Sequence, residues 1–528
     1  MLILPLEPTD DLANPIFKDA ASCGLWLGQL QLTNLQLAHS QLLYQIGELN
    51  RFPMNGIERL NTLELLMETV GFVQDDYAKK LIDKPLPLND DEMTIFMSLV
   101  QLWQAMLTGY QRCLQFYIFG EKELSDQGAL LCQRCLYYGG LEIFEYLRTR
   151  YEFSPALWRQ MHALYAYAEQ HELHQIEVAG LDCKTSCTSS YVKTLLSCYA
   201  NPAELSRWQL QQMNRWLSAW SSNLSLSHCY KPNKNDSEPL AVDISSEMGL
   251  QKAGESLHKD TVRYLDMVPM SKLLRVKAIL LQQGQTAQQV GLGDQYDSHA
   301  CHDLLILLHQ CWCGNRHKRS IQRKPVSRVT ELCCQIEGIH AYLSQKDSKP
   351  SRLGKLAIKQ IETMGYVPNS DLERAEKDHP LESWLIENEN IIGARITRAD
   401  AEGRRFKCKQ LVALRAAKSF SFMLATVAWM VVTRQGRLQM GIKYLPGKPI
   451  PVRISAAGIN LARAEAQAFL MPVLPSVKTP ASLIIPRGWF QPGLAIELRQ
   501  PDGNFMVLQL GFSVERGFDF ERVSFTPV

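Results

Sequence analysis

Residues 428–444 read Ala428-Trp429-Met430-Val431-Val432-Thr433-Arg434-Gln435-Gly436-Arg437-Leu438-Gln439-Met440-Gly441-Ile442-Lys443-Tyr444. Two apolar runs flank a short polar turn, with glycine where a positive φ is expected, and the pattern predicts a β-hairpin. It sets the reading of the chain from Trp384 onward. Trp384 to Ile396, Arg405 to Leu414, Phe420 to Thr433 and Arg437 to Tyr444 are strand-length runs rich in Val, Ile, Phe and Leu. The tail has the same character, since Leu494 to Leu498, the turn Pro501-Asp502-Gly503-Asn504, Phe505 to Leu510 and Phe518 to Phe525 predict a three-strand meander. The C-terminal third is therefore a β-barrel or a pair of small β modules. Whether the part from about Leu461 completes the first barrel or forms a second stays open.

Working upstream, the periodicity is helical. To about residue 222 one helix follows another, and strand-like alternation is absent. Asp90 can cap a segment whose apolar positions Phe96, Leu99, Val100, Trp103 and Leu107 share a face. Ser154-Pro155 is a cap followed by proline at the first helical position, before Leu157, Met161, Leu164, Tyr165 and Ala168 at helical spacing. A similar pattern starts at Gly56, and Trp103, Trp158, Trp208 and Trp216 read as core or groove aromatics. Ser221 to Pro239 reads as a linker, followed by extended runs Leu240 to Ile244 and Val262 to Met267. Helices are predicted at about Met270 to Gln283 and Ser298 to Trp312, with a second polar break at Gln345 to Ser351.

Composition bounds the function classes. The chain has 528 residues, about three or four domains' worth, with 56 Lys+Arg against 54 Asp+Glu and a net charge of +2. With 46% hydrophobic and 21% charged residues it is globular rather than disordered. Near-neutrality argues against coating DNA or a membrane by bulk charge, but leaves room for a local basic site. The first residues lack a signal peptide's charged start, and the longest apolar stretch, Ser419 to Val432, is too short for the ~20 residues a spanning helix needs. A soluble cytoplasmic protein is expected. Its fourteen cysteines are scattered, and Cys132 and Cys135, though a C-x-x-C, sit in a helical pattern and read as reduced buried thiols.

The most biased segment runs from Arg316 to Lys324, with five lysines or arginines among nine residues and no acid. It follows a helix and precedes a predicted strand, Ser327 to Ile336. Arginines leading into a barrel strand can fold around a phosphate ligand, using planar forks for phosphate oxygens and flat faces for bases. From charge alone the plainer reading is a solvated basic loop.

Here a family resemblance enters. Arg319-Ser320-Ile321-Gln322-Arg323 is an R-x-x-x-R, the motif that PilZ domains carry before their first barrel strand, and Asn388-Glu389-Asn390-Ile391-Ile392-Gly393 resembles their D/N-x-S-x-x-G. The strands around Trp429 and Gly441 look like the later strands of that family. The layout also resembles long bacterial proteins with a helical N-terminal region and an atypical C-terminal PilZ domain. Residues 156–165, Tyr264-Leu265-Asp266 and Gly338-Ile339-His340 carry that likeness. The resemblance implies a multidomain α + β chain: an all-α helical region over 1–222, a mixed α/β connector over 223–300, and a PilZ-like six-stranded antiparallel β-barrel over 301–460. A helical insertion at about 340–380 and a C-terminal β module over 461–528 complete it. It further implies cyclic di-GMP as ligand. Arg319 and Arg323, with Arg316 nearby, would contact phosphate and guanine, Asn388 would bond a guanine edge, Asn390 would stand in for Ser, and Gly393 would allow the tight strand end. The sequence departs from the family at Asn390 and in the roughly 65 residues between Arg323 and Asn388. Leu353, Leu356, Ala357, Ile361 and Met364 recur there at helical spacing.

Other motifs carry less. Asp243 to Gly249 has one residue too many for a second D-x-S-x-x-G. His299, Cys301, His302, His309, Cys311, Cys313 and His317 fit no closed metal set, because Leu304, Leu305, Leu307 and Leu308 demand an apolar helix face. Gly291-Leu292-Gly293 lacks the third glycine of a dinucleotide fingerprint. With no G-x-S-x-G, H-E-x-x-H or Walker loop, no enzyme and no cofactor are expected; lone histidines such as His162 and His340 read as structural. The expectation is a non-enzymatic bacterial signalling receptor or adaptor that binds cyclic di-GMP and relays to a protein partner through its helical region, in motility, pilus or biofilm control. The rival is a ligand-free PilZ-like scaffold. A single-stranded nucleic-acid binder is a third class, marked by salt-dependent binding.

Overall fold

A computed structural model describes all residues except 1, 3, 5, 181–183, 231–238, 254–258, 315–322, 345–375, 401, 417–420, 457–464, 476–478 and 501–502. The chain forms two compact units, one of residues 1–84 and 88–320, the other of 85–87 and 321–528. Among the described residues no helix is long and apolar enough to cross a membrane.

Among the described residues the first unit opens with eight α-helices: α1 (Ala20–Leu27), α2 (Leu35–Arg51), α3 (Gly56–Tyr77), α4 (Asp90–Ile118), α5 (Gly128–Thr149), α6 (Pro155–Gln170), α7 (Cys187–Tyr199) and α8 (Arg207–Trp220). The cap of α4 is Asn89 rather than the expected Asp90. The Asn89 side chain accepts the Glu92 N–H at 2.9 Å and Glu92 accepts the Asn89 N–H at 3.0 Å, a reciprocal box that leaves Asp90 in the first turn. Ser154 caps α6 as the Ser-Pro pair predicts. A small antiparallel sheet follows, in the order β1–β4–β2–β3, from β1 (Leu226–Ser227), β2 (Leu240–Asp243), β3 (Gln251–Lys252) and β4 (Val262–Leu265). Then come α9 (Val268–Gln282) and α10 (Ser298–Trp312).

One face of the sheet and the late helices share the core of the preceding helices, while Ala241, Val262 and Tyr264 form a small cluster of their own. Leu240, Val242, Leu265, Leu274, Leu304 and Trp312 join one hydrophobic cluster with the residues of α2 to α8. The Trp312 indole donates to the Leu196 carbonyl at 3.1 Å, tying α10 to α7. Trp103, Trp158 and Trp216 are buried, and Trp208 packs on Tyr296 with ring centroids 5.2 Å apart. His162 is fully buried between the Tyr191 hydroxyl (2.6 Å) and the Met248 carbonyl (3.0 Å), and burial depresses its pKa to about 4. Cys132 and Cys135 are buried in α5, where desolvation pushes the Cys132 thiol up to about 12. They are inert at neutral pH.

The second unit holds two closed barrels. The first is built from β5 (Lys324–Cys334), β6 (Glu382–Glu389), β7 (Gly393–Arg398), β8 (Leu411–Ala416), β9 (Met423–Val432) and β10 (Leu438–Tyr444), all pairings antiparallel, in the order β10–β7–β6–β5–β8–β9. This is the six-stranded antiparallel barrel that the PilZ resemblance implies. The predicted hairpin at 433–437 is present, with Gly436 at φ +76°. Two predicted strands differ. Trp384 to Ile396 folds back on itself at residues 390–392, and Arg405 to Leu414 keeps only its end in the ladder. Lys409, at φ +61°, turns the chain there. Phe406 instead exchanges backbone hydrogen bonds with Leu86, both 2.8 Å. The helix α11 (Ile336–Leu343) follows β5; the predicted insertion falls mainly on 345–375, outside the described residues.

The second barrel consists of β11 (Ile450–Ala456), β12 (Ala466–Met471), β13 (Ser482–Pro486), β14 (Ala495–Arg499), β15 (Phe505–Arg516) and β16 (Phe520–Pro527), in the order β11–β12–β13–β16–β15–β14. The predicted meander supplies its last three strands. Its first strand, Ile450–Ala456, lies ahead of the boundary expected at 461, because β11 pairs with β12 and β14 rather than with the first barrel. Ile336, Ile339 and Tyr342 of α11 form one cluster with Leu411, Ala413 and Leu424 of the first barrel and Phe469, Ile484 and Phe520 of the second. That cluster explains why β8 reads as a continuous apolar run: one face lines the barrel and the other lies beneath the helix.

A half-buried carboxyl sits at the same junction. Asp519 accepts the Leu411 N–H at 2.9 Å, and desolvation, with Glu337 adding to it, raises its pKa to about 6. Between its ordinary value of 3.8 and about 6 the folded chain holds a proton that the unfolded chain releases. Its stabilising effect is thus complete at low pH and is lost as pH rises through about 6. Asp519→Asn retains the acceptor and removes the charge. Scanning calorimetry should show a higher Tm than wild type at pH 7.5 and no difference at pH 4; equal curves at both would refute the assignment.

Candidate ligand site

The two motifs are brought together by strand register. Lys324 pairs with Glu389 and Pro325 with Asn388, so the start of β5 lies beside the end of β6. Arg323 immediately precedes that pairing, and its Nη1 donates to Asn388 Oδ1 at 3.2 Å across 65 residues of sequence. Of the expected arginines, Arg323 is the one described; Arg316 and Arg319 fall outside the described residues.

Asn390 and Gly393 form the turn between β6 and β7. Asn390 Oδ1 accepts the backbone N–H groups of both Ile392 and Gly393 at 3.0 Å, and the Asn390 N–H donates to the Gly393 carbonyl at 3.0 Å. Asparagine forms such Asx turns more strongly than serine, which gives residue 390 a turn-making role. Gly393 is set by close backbone approach. A Cβ there would lie 2.1 Å from the Ile442 carbonyl oxygen on β10.

Around this turn lies a network that sequence reasoning missed. Arg328 Nη2 meets Glu389 Oε2 at 2.9 Å, and the Tyr444 hydroxyl donates to Glu389 Oε1 at 2.6 Å. Burial, reinforced by the Glu389 carboxylate, raises the Tyr444 pKa. On β7 the Arg395 guanidinium lies over the Trp429 ring, 5.8 Å from its centroid, and 4.0 Å from Glu387, which also accepts from Gln439 at 3.1 Å. Arg395 Nε is buried with no hydrogen-bond partner among the described residues. Trp429 in turn packs against Gly441, where a Cβ would be 2.0 Å from its Nε1. Arg328 thus pairs with Glu389, Arg395 lies near Glu387 and Arg323 meets Asn388, while in the ladder Lys324 stands opposite Glu389 and Lys443 opposite Gly393. The only sequence signal for these partners was charge on outward strand positions. Alternation of that kind marks any solvated strand.

The cysteine and histidine stretch before the barrel behaves differently. Cys301, Leu304, Leu305 and Leu308 are buried, and the His309 Nε2 is 3.1 Å from the Ser271 hydroxyl. Among the described residues no three His, Cys, Asp or Glu side chains are grouped to hold a metal ion.

Residues 21–233 match the family described as "Cyclic-di-GMP receptor FimW, N-terminal domain", and residues 459–528 match "FimW C-terminal beta-barrel domain". The two matches together span more than half of the chain. It belongs to the FimW family. Within that family it is similar to the cyclic-di-GMP receptor FimW of Pseudomonas aeruginosa, with 22% identity over 555 aligned residues that cover 93% of this chain and 88% of that receptor. No solved structure matches. The first FimW match covers α1 to α8, and the second covers all but the first strand of the second barrel. The candidate site lies between them, in the barrel that carries the PilZ-like motifs.

Proposed function

We propose that this chain is a non-enzymatic cyclic di-GMP receptor. Arg316, Arg319, Arg323, Asn388, Asn390 and Gly393 would form its ligand site. The observation that carries this is the Arg323–Asn388 contact at 3.2 Å, which unites the arginine segment with the asparagine motif at one end of a closed barrel. The surplus of basic over acidic side chains there suits two phosphates, and planar guanidinium forks suit both phosphate oxygens and guanine edges. The similarity to a protein named as a cyclic di-GMP receptor supports the same ligand class. Binding would shift the conformational population in favour of a partner-competent state. The helical unit would carry the signal to a protein partner in the cytoplasm, in control of motility, pili or biofilm.

One observation favours the ligand-free scaffold as a second reading: Glu389 and Asn388 already engage Arg328 and Arg323 within the barrel. Equilibrium dialysis with labelled cyclic di-GMP separates the two. Asn388→Ala removes one neutral hydrogen-bonding group, so retention should fall about ten-fold. Retention equal to that of wild type would remove Asn388 from the site, and no retention by wild type would favour the scaffold.

A further inference from the structure

Between α5, α7 and α8 the helical unit contains a cavity of about 130 Å³. This is comparable to the ~150 Å³ that accommodates a benzene ring in an engineered protein cavity. Its two walls differ in chemistry. Tyr137, Leu141 and Phe144, spaced by four and three residues on α5, make an apolar wall; Ser190, Thr194 and Ser197, at the same spacing on α7, make a hydroxyl wall. The helices approach closely because residue 140 is glycine: a Cβ there would lie 2.5 Å from Thr194 Oγ1.

Two of these three hydroxyls already commit their hydrogens. Thr194 donates to the Ser190 carbonyl at 3.1 Å and Ser197 to the Lys193 carbonyl at 2.8 Å, while Ser190 Oγ accepts from Gln133 at 3.0 Å. A hydroxyl that donates back into its own helix offers its oxygen lone pairs as acceptors. At the edge, the Lys193 ammonium donates to Ser218 Oγ at 2.9 Å. The other cation on the wall, Arg134, is held by Glu64 through two contacts of 2.7 Å, which balances its charge. Among the described residues no Asp or Glu lines the cavity.

From this arrangement we infer a second binding site, independent of the barrel, for a small planar heterocycle of nucleobase type. Its N–H groups pair with the Thr194 and Ser197 oxygens, its carbonyl or oxyanion faces Lys193, and its flat face packs on Tyr137 and Phe144. Hypoxanthine is a suitable probe, since it is neutral, planar and carries both N–H groups and a carbonyl. Benzoate and indole each lack part of that set.

Calorimetry on the full chain should show saturable one-site heat with hypoxanthine, at least about ten-fold tighter than with benzoate or indole. Thr194→Val, nearly isosteric, and Lys193→Met should each weaken hypoxanthine about ten-fold or more while leaving the helical circular dichroism and any cyclic di-GMP heat unchanged. That last readout separates this inference from the ligand assigned to the barrel. No saturable heat with hypoxanthine up to about 1 mM would mean that the cavity holds only water and would overturn the site. Tighter binding of benzoate, or hypoxanthine heat unaltered in both variants, would overturn the ligand class.

Discussion

Gly393→Ala is expected to unsettle the first barrel at the end that carries the candidate site. The added Cβ would stand 2.1 Å from the Ile442 carbonyl oxygen, and Lys443 is its ladder partner, so the obstacle is backbone on both sides. Relief requires β7 to move away from β10. Overpacking of this kind typically costs ~1–3 kcal/mol, and for a unit of about 200 residues each kcal/mol lowers Tm by ~2–4 °C. Scanning calorimetry should therefore show the β unit melting about 2–12 °C earlier than in wild type. Gly441→Ala is the informative contrast. Its Cβ would meet the indole of Trp429, half-buried on the barrel surface, and a side chain can swing where a carbonyl cannot. A smaller loss is expected there. A Gly393→Ala transition within a degree of wild type would show that β7 and β10 are not in close register.

Trp384→Ala should cost more. Trp384 is fully buried, lies edge-on to Phe406 at 5.8 Å, and has the Arg398 guanidinium 5.3 Å from its ring centroid. Arg398 is itself buried, 3.4 Å from Glu382, and 5.7 Å from the Phe406 ring. Burial lowers the Arg398 pKa, so the two rings and Glu382 are what keep its charge tolerable. Removing the indole leaves a cavity and strips one face of that cation. Large aromatic-to-alanine changes in cores cost ~3–5 kcal/mol. Urea unfolding should show a loss of stability of that size, and Trp384→Phe should recover much of it. Loss of less than about 1 kcal/mol in the alanine variant would mean that the ring does not hold the barrel interior.

The elements legible in the sequence were those whose signal is local. The 428–444 hairpin declared itself through two apolar runs and a glycine turn, and α6 through Ser154-Pro155, because turn and cap chemistry act over a few residues. The α4 cap was read one residue late, since Asn89 and Asp90 are both competent caps and the Asn89–Glu92 reciprocity decides between them. What stayed hidden was pairing at a distance. Nothing near Ile450 announces that Arg453 will pair with Arg499 to close a second barrel. The continuous run Trp384 to Ile396 hid a fold-back that Asn390 makes with its own side chain.

The site divides the same way. Arg323, Asn388, Asn390 and Gly393 could be named because they recur in a family motif, and register brings them together. Glu389, Arg328 and Tyr444 could not, because their contacts span 61 and 55 residues and their charges resemble those of any exposed strand.

The direct measurement is isothermal titration calorimetry of the full chain with cyclic di-GMP, alongside Arg319→Ala/Arg323→Ala. Removing two guanidinium groups deletes several charge-assisted hydrogen bonds, each contributing ~1.5–3 kcal/mol. Wild type should give saturable heat, and the double variant, with an unchanged melting profile, should give none. A folded wild type that evolves no heat at high ligand concentration, or a double variant that binds as wild type does, would contradict the assignment of the barrel as the receptor site.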